Sequence, residues 1–188
     1  VGADLADPHA ILLRSYKMHD MEIPASLRAV ARAGTGVNNI PVSKLSELGI
    51  PVFNAPGANA NAVKELVIAG VLLAARNLVS AWDHVRHLEG NDDELARAIE
   101  ATKKQFIGYE LPGRTLGVVG LGAIGVQVAN AALELGMSVI GYDQKITVKR
   151  AWQLSSGVEQ ASNLDELCSR ANMLTCHIPF NEHTRGLL

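Results

Sequence analysis

Residues 115–143 read TLGVVGLGAIGVQVANAALELGMSVIGYD, a stretch that leaves a chain little choice of fold. Leu116, Val118, Val119 and Leu121 surround glycines at 120, 122 and 125, spaced G-x-G-x-x-G. Ile124, Val126, Val128, Ala129, Ala132 and Leu133 then recur at helical spacing, and 138–142 predicts a second strand that ends at Asp143. Each part has a use in dinucleotide binding. Gly120 lets the chain turn sharply out of the strand, Gly122 removes a side chain so that backbone N–H groups approach a pyrophosphate, and Gly125 lets the helix pack against the strand. The helix N-terminus adds unpaired N–H groups and the positive end of its dipole. Asp143 follows about 20 residues on, where a carboxylate accepts ribose hydroxyls and repels a 2′-phosphate, so NAD is expected rather than NADP. A glycine-rich turn of another α/β protein is the alternative, and the strand, helix and acid around the motif argue against it.

At 188 residues the chain has room for one or two domains. Hydrophobic residues make up 48%, which suits a globular core rather than disorder. The net charge is -2 with no long run of one sign, which gives no reason to expect a nucleic-acid or membrane-surface partner. Cys168 and Cys176 both fall in apolar α/β patterns and are read as reduced and buried, as in a cytoplasmic protein. No segment has the length of a transmembrane helix, the start lacks a signal-peptide layout, and the six His show no metal-ligand spacing with the Cys and acids. Val1 is not a Met and Leu188 falls where a helix is opening, so a fragment lacking both ends is expected.

Taken in order, Ala10–Leu13 predicts a buried strand ending at Arg14-Ser15. Residues 24–27 predict a turn or short helix, 29–33 a second strand leading into Gly34-Thr35-Gly36, 42–48 a helix stopped by Gly49, and 50–53 a third strand. Residues 54–61 (NAPGANAN) predict a loop or hinge. One long helix is expected over 62–87, buried on most sides because its apolar residues nearly encircle it. Residues 91–102 predict a polar helix with an acidic start, read as a surface arm. Beyond Asp143, a weak helix is expected at 148–154, a short strand at 158–159, a helix at 164–170 capped by Ser162 or Asn163, a strand at 173–177, and a further element opening at 181–188.

Four stretches carry a resemblance: RAGTGVNNI (32–40), NAPGANANAVKEL (54–66), TLGVVGLGAIG (115–125) and HIPFNEHTRGLL (177–188). In order and spacing they resemble the NAD-dependent D-2-hydroxyacid dehydrogenase family over nearly the whole chain. The resemblance implies an α/β fold: a Rossmann-type doubly wound parallel sheet over 57–188, the first part of the NAD-binding domain, after part of a flavodoxin-like substrate domain over 1–56. It implies a small-molecule substrate, a homodimer or higher homo-oligomer joined through the nucleotide domain, and closure around a hinge near Pro56-Gly57. Within the family, Arg14-Ser15, the AGTGVNN wording and the Asn59 loop point to members that act on 3-phosphoglycerate.

Carried over residue by residue, Arg14 and Ser15 resemble binders of substrate phosphate and carboxylate, since a guanidinium donates two parallel hydrogen bonds to a phosphate. On the residues alone, a surface arginine capping a strand end is the favoured reading, and the resemblance reverses it. Thr35 and Gly36 resemble the loop whose N–H groups hold the substrate carboxylate, with Thr35 also near the nicotinamide; an ordinary turn is the alternative. Asn59 resembles a further substrate contact, balanced against a plain loop residue before a helix. Ala123 and Ile124 resemble the backbone positions over the pyrophosphate, although Ala123 stands where many relatives carry Arg. His177, Ile178 and Pro179 resemble the cofactor loop on the adenine side, or a plain strand-end turn. His177 by resemblance is a strand-end position and not the catalytic acid. Lys64 is expected to be solvated rather than to add positive charge near the cleft, and His183 is expected to be exposed.

The family's proton-transfer His, its paired Glu and the Arg that polarises the carbonyl are expected after Leu188, so no catalytic residue is expected in this chain and the 188 residues alone are expected to be inactive. Another 2-hydroxy acid, such as glycerate or hydroxypyruvate, and a non-enzymatic NAD-sensing binding protein are the rival readings.

Overall fold

The computed structural model describes residues 7–182 and 184–187. The expected exposure of His183, and the ends of the expected 1–56 and 57–188 domains at residues 1–6 and 188, lie outside them. The chain divides into two compact units, Val1–Ala60 and Asn61–Leu188.

In the first unit, β1 (Ala10–Leu13), β2 (Ala29–Arg32) and β3 (Val52–Phe53) form a parallel sheet in that order. The link from β2 to β3 runs through α1 (Val42–Glu47), as parallel neighbours require. Leu13, Met18, Leu27, Val30, Ile40, Leu45 and Ile50 form its core. Residues 24–27 are a turn, closed by the Leu27 N–H donating to the Pro24 carbonyl at 3.0 Å. The third strand starts two residues later than expected, because the Ile50 N–H is taken by the Leu45 carbonyl at 2.8 Å and Pro51 has no N–H to give a ladder.

In the second unit the expected long helix is two helices. They are α2 (Ala60–Ala75) and α3 (Leu78–Arg86). Asn77 lies between them at φ +50°. Chain from thirty residues on terminates α2: the Tyr109 N–H donates to the Ala75 carbonyl at 2.9 Å, and Asn77 Nδ2 donates to the Ile107 carbonyl at 3.0 Å. Nor is α2 buried on most sides. A stripe of Val67, Val71 and Ala75 meets the core, while Leu66 is 73% and Leu73 41% exposed. One face of a helix can pack on one neighbour, so all-round apolarity here leaves an open face.

The polar helix α4 (Asp92–Thr102) starts in a capping box: Asn91 Oδ1 accepts the Glu94 N–H at 3.1 Å and Glu94 Oε2 accepts the Asn91 N–H at 2.9 Å. A 3-10 turn, Lys103–Phe106, follows. His84 Nε2 and Thr102 Oγ1, 2.9 Å apart, tie α3 to the end of α4.

Next come β4 (Thr115–Val119), α5 (Gly125–Glu134), β5 (Ser138–Tyr142), α6 (Val148–Ala151), β6 (Val158–Gln160), α7 (Leu164–Arg170) and β7 (Met173–Cys176). The four strands are parallel in the order β6-β5-β4-β7. Strand alternation sends Leu116 and Val118 to the face covered by α5, and Val119 to the face where Ile140 and Leu167 cluster. Both faces are therefore covered, as in a doubly wound sheet. Asn163, not Ser162, caps α7: its Oδ1 accepts the Glu166 N–H at 2.8 Å. The described part of 181–187 forms turns.

The cysteines are free, as expected, but both are exposed rather than buried. Cys168 follows the buried Leu167 on α7, and one residue along a helix turns the side chain about 100° away from the core. Cys176 ends β7, an edge strand among those described, where burial alternates along the chain. No helix among the described residues is long and apolar enough to cross a membrane.

Candidate functional site

Strand order reverses direction at the β4–β7 boundary, since β4 leads to β5 on one side and β7 lies on the other. In such sheets a crevice opens beyond the carboxyl ends of the strands at that point. Here a cavity of about 720 Å3 does so, walled by Gly120 and Gly122 after β4, Asp143 after β5, and His177, Ile178 and Pro179 after β7.

The glycine turn has the geometry its spacing calls for. Gly120 has φ +89°, and a Cβ there would lie 2.7 Å from Ile178 Cγ2. A Cβ on Gly125 would lie 1.9 Å from the Gly120 carbonyl oxygen, so only hydrogen lets α5 start this close to β4. A Cβ on Gly122 would meet nothing within 4 Å, which leaves the backbone open to the cavity. Ala123 and Ile124 follow at the start of α5 and do not wall the cavity.

Asp143 is half-buried. Its Oδ2 accepts the Leu121 N–H and its Oδ1 accepts the Lys145 N–H, each at 2.7 Å. A carboxylate has about four acceptor positions, so two remain for hydroxyl donors. The open glycine backbone, the helix N-terminus and this half-used carboxylate fit a pyrophosphate joined to a ribose.

His177 continues the β7 ladder, its N–H donating to the Val119 carbonyl at 2.8 Å, and its Nε2 lies 2.9 Å from Thr175 Oγ1. Burial pushes its imidazole below the usual value, which keeps the ring neutral at pH 7. The loop beyond is held by Thr184, whose hydroxyl donates to the Pro179 carbonyl at 2.7 Å and accepts the Asn181 N–H at 2.8 Å. Thr184, Gln144 and Lys145 also wall the cavity and were not singled out from the sequence. The signal for Thr184 was the Asn-x-x-Thr spacing, a hydrogen-bonded turn pattern.

In the first unit, Arg14-Ser15 and the Gly34–Gly36 turn leave neighbouring strands from paired positions, Leu13 opposite Arg32. Arg14, Ser15, Thr35 and Gly36 are all exposed. Among the described residues the Thr35 and Gly36 N–H groups have no acceptor, whereas Thr35's carbonyl accepts Asn54 Nδ2 at 2.7 Å. Arg32, also not singled out beforehand, lies over this turn: a Cβ on Gly34 would be 2.6 Å from its Nη1. Its Nε donates to the Arg14 carbonyl at 3.1 Å. The loop thus presents the Arg32 guanidinium over two open N–H groups, with the exposed Arg14 on the neighbouring strand end, an arrangement that fits an anion. Asn59 is an exposed turn residue just before α2. Lys64, expected to be solvated, is half-buried and donates to Asn61 Oδ1 at 2.7 Å.

Comparison with known proteins agrees with this geometry. The sequence model of the D-isomer specific 2-hydroxyacid dehydrogenase NAD binding domain matches residues 70–188. The D-3-phosphoglycerate dehydrogenase of Methanocaldococcus jannaschii is 40% identical over 168 residues, 89% of this chain and 30% of that protein. The hydroxypyruvate reductase of Thermotoga maritima is 38% identical over 168 residues, 89% of this chain and 49% of that protein. The NAD+-bound 3-phosphoglycerate dehydrogenase of Entamoeba histolytica superposes with a TM-score of 0.63 at 26% identity, covering 95% of this chain and 48% of that one. The chain spans half or less of the length of each of these relatives. It belongs to the D-isomer specific 2-hydroxyacid dehydrogenase family, with NAD as its cofactor.

Proposed function

We propose that the protein carrying this chain is a D-3-phosphoglycerate dehydrogenase, which oxidises 3-phosphoglycerate to 3-phosphooxypyruvate with NAD on the route to L-serine. The observation that carries this reading is the anion-binding loop, where Arg14 and Ser15 sit beside Arg32 and the open N–H groups of Thr35 and Gly36. Arg14 takes the phosphate through paired charge-assisted hydrogen bonds, and the N–H groups take the carboxylate. Asn59 adds a substrate contact. Relatives named D-3-phosphoglycerate dehydrogenase at 35–40% identity support the choice of substrate.

When bound, NAD supplies the hydride acceptor. Gly120, Gly122, Ala123, Ile124 and Gly125 receive its pyrophosphate at the start of α5, Asp143 accepts the ribose hydroxyls, and His177, Ile178 and Pro179 wall the adenine side. Neutral His177 adds no charge there. The reaction also needs a base for the substrate's hydroxyl proton and a donor that polarises its carbonyl, roles given to none of the residues named here. The enzyme works as a cytoplasmic homodimer or larger oligomer, with the exposed apolar residues of α2 and α3 (Leu66, Leu73, Val79 and Trp82) in its subunit contact.

The test is NADH formation by the whole protein, with 3-phosphoglycerate and D-glycerate offered side by side. A strong preference for the phosphorylated acid is expected. Arg14→Ala should raise its KM about 10- to 100-fold while moving that for D-glycerate less than about twofold. Equal or reversed preference would overturn the substrate and leave the family. The hydroxypyruvate reductase relative, at 38% identity, makes glycerate or hydroxypyruvate the second reading.

A further inference from the structure

We propose that Asn39 is a positioning residue for substrate recognition: together with Arg32 it fixes the carbonyl of Arg14, and so the direction in which the Arg14 and Ser15 side chains leave β1. The proposal rests on the reading of Arg14 as the anion-binding group.

Just past the end of a strand, a chain has lost its ladder and its direction is set by whatever else holds its backbone. Arg14 and Ser15 are in that position. Asn39 Nδ2 donates to the Arg14 carbonyl at 3.2 Å and to the Tyr16 carbonyl at 2.7 Å, so Ser15 is pinned from both sides. Asn39's own carbonyl accepts the Met18 N–H at 2.9 Å, a third hold on the same segment. Arg32 Nε is the second donor on the Arg14 carbonyl, at 3.1 Å. The task calls for a short side chain with two N–H donors on one atom, which among small residues only Asn offers.

Asn39 is 9% exposed, the one buried polar residue among those described. Its Oδ1 is buried with no donor among the described residues. Asn39 also closes the same loop that opens with Thr35 and Gly36, so one backbone segment offers the N–H groups and aims the arginine.

The test is a double-mutant cycle in the whole protein, with NAD saturating and 3-phosphoglycerate varied. Asn39→Ser, which cannot reach both carbonyls, should raise KM about tenfold and change kcat less than about twofold. In an Arg14→Ala background the same substitution should change KM by a clearly smaller factor, about threefold or less, because only Ser15 is left to aim. Arg32→Lys, which keeps the charge and loses Nε, should show the same dependence on Arg14 and serves if Asn39→Ser fails to fold. Equal factors in both backgrounds, or a loss of melting temperature with no separation of KM from kcat, would overturn the proposal. If Arg14→Ala itself leaves KM unchanged, the anion-binding reading falls and this proposal with it; if only the cycle is additive, that reading stands and the proposal alone falls.

Discussion

The carboxylate of Asp143 accepts the Leu121 N–H at 2.7 Å, so the acid at the end of β5 is bound to the glycine turn at the end of β4. Oδ2 therefore holds the glycine turn, and the residue that carries it also walls the cavity.

Asp143→Ala is expected to raise the KM for NAD about 10- to 100-fold, the scale of one or two lost hydrogen bonds to a charged group. The KM for NADP should rise less or fall, because the repulsion of a 2′-phosphate goes with the carboxylate. Kinetics with both cofactors give the ratio. An unchanged NAD-to-NADP preference would remove Asp143 as the selector.

At Gly125 the prediction concerns packing. A Cβ would meet the Gly120 oxygen at 1.9 Å, so Gly125→Ala must move α5 or β4. A cost of about 2–4 kcal/mol is expected, at the upper end for overpacking because the opposing atom is backbone. Urea unfolding measures it, and NAD binding should weaken in step as the turn shifts.

His177 makes an acid-side prediction. Burial holds its folded pKa below the ordinary 6.5. Above that value the imidazole is neutral in both states and contributes nothing. As pH falls through it, the unfolded chain takes up the proton first, so stability drops until the folded pKa is passed. Calorimetric melting temperatures between about pH 7 and 5 should decline less steeply in His177→Gln than in the parent. Parallel curves would show that the ring is not buried in solution.

Asn77 joins α2 to α3 at φ +50°, a region where a β-branched side chain is strained. Asn77→Val should cost about 2–3 kcal/mol, combining that strain with the lost bond to Ile107. Asn77→Gly, which loses only the bond, should cost about 1 kcal/mol. Denaturant unfolding of the two variants separates the backbone from the side chain.

The glycine turn and its acid were legible because each residue's job is local: a sharp turn, a bare backbone, a close helix start, a carboxylate at a strand end. The parallel sheet followed from the same alternation of strand and helix. The break in the helix was not legible, because the spacing from Val63 to Val85 runs on unbroken and the interrupting groups, Ile107 and Tyr109, arrive thirty residues later. Apolar patterns around Cys168 and Cys176 described the elements they sit in and not the side of those elements they occupy. Arg32 and Asn39 fell inside a motif that was noticed for its glycines, and their partners are carbonyls, which every residue has and no sequence displays.

The group that Arg32 and Asn39 grip at position 14 is a peptide carbonyl, and any amino acid would supply it. The loop is anchored through the backbone of residue 14, and the proposed recognition would run through its side chain. On that reading, exchanging the side chain for one that suits an uncharged or smaller acid would leave the loop's hydrogen bonds in place. A scaffold wired in this way lets a lineage change its diet by single substitutions without first having to survive a misfolded ancestor.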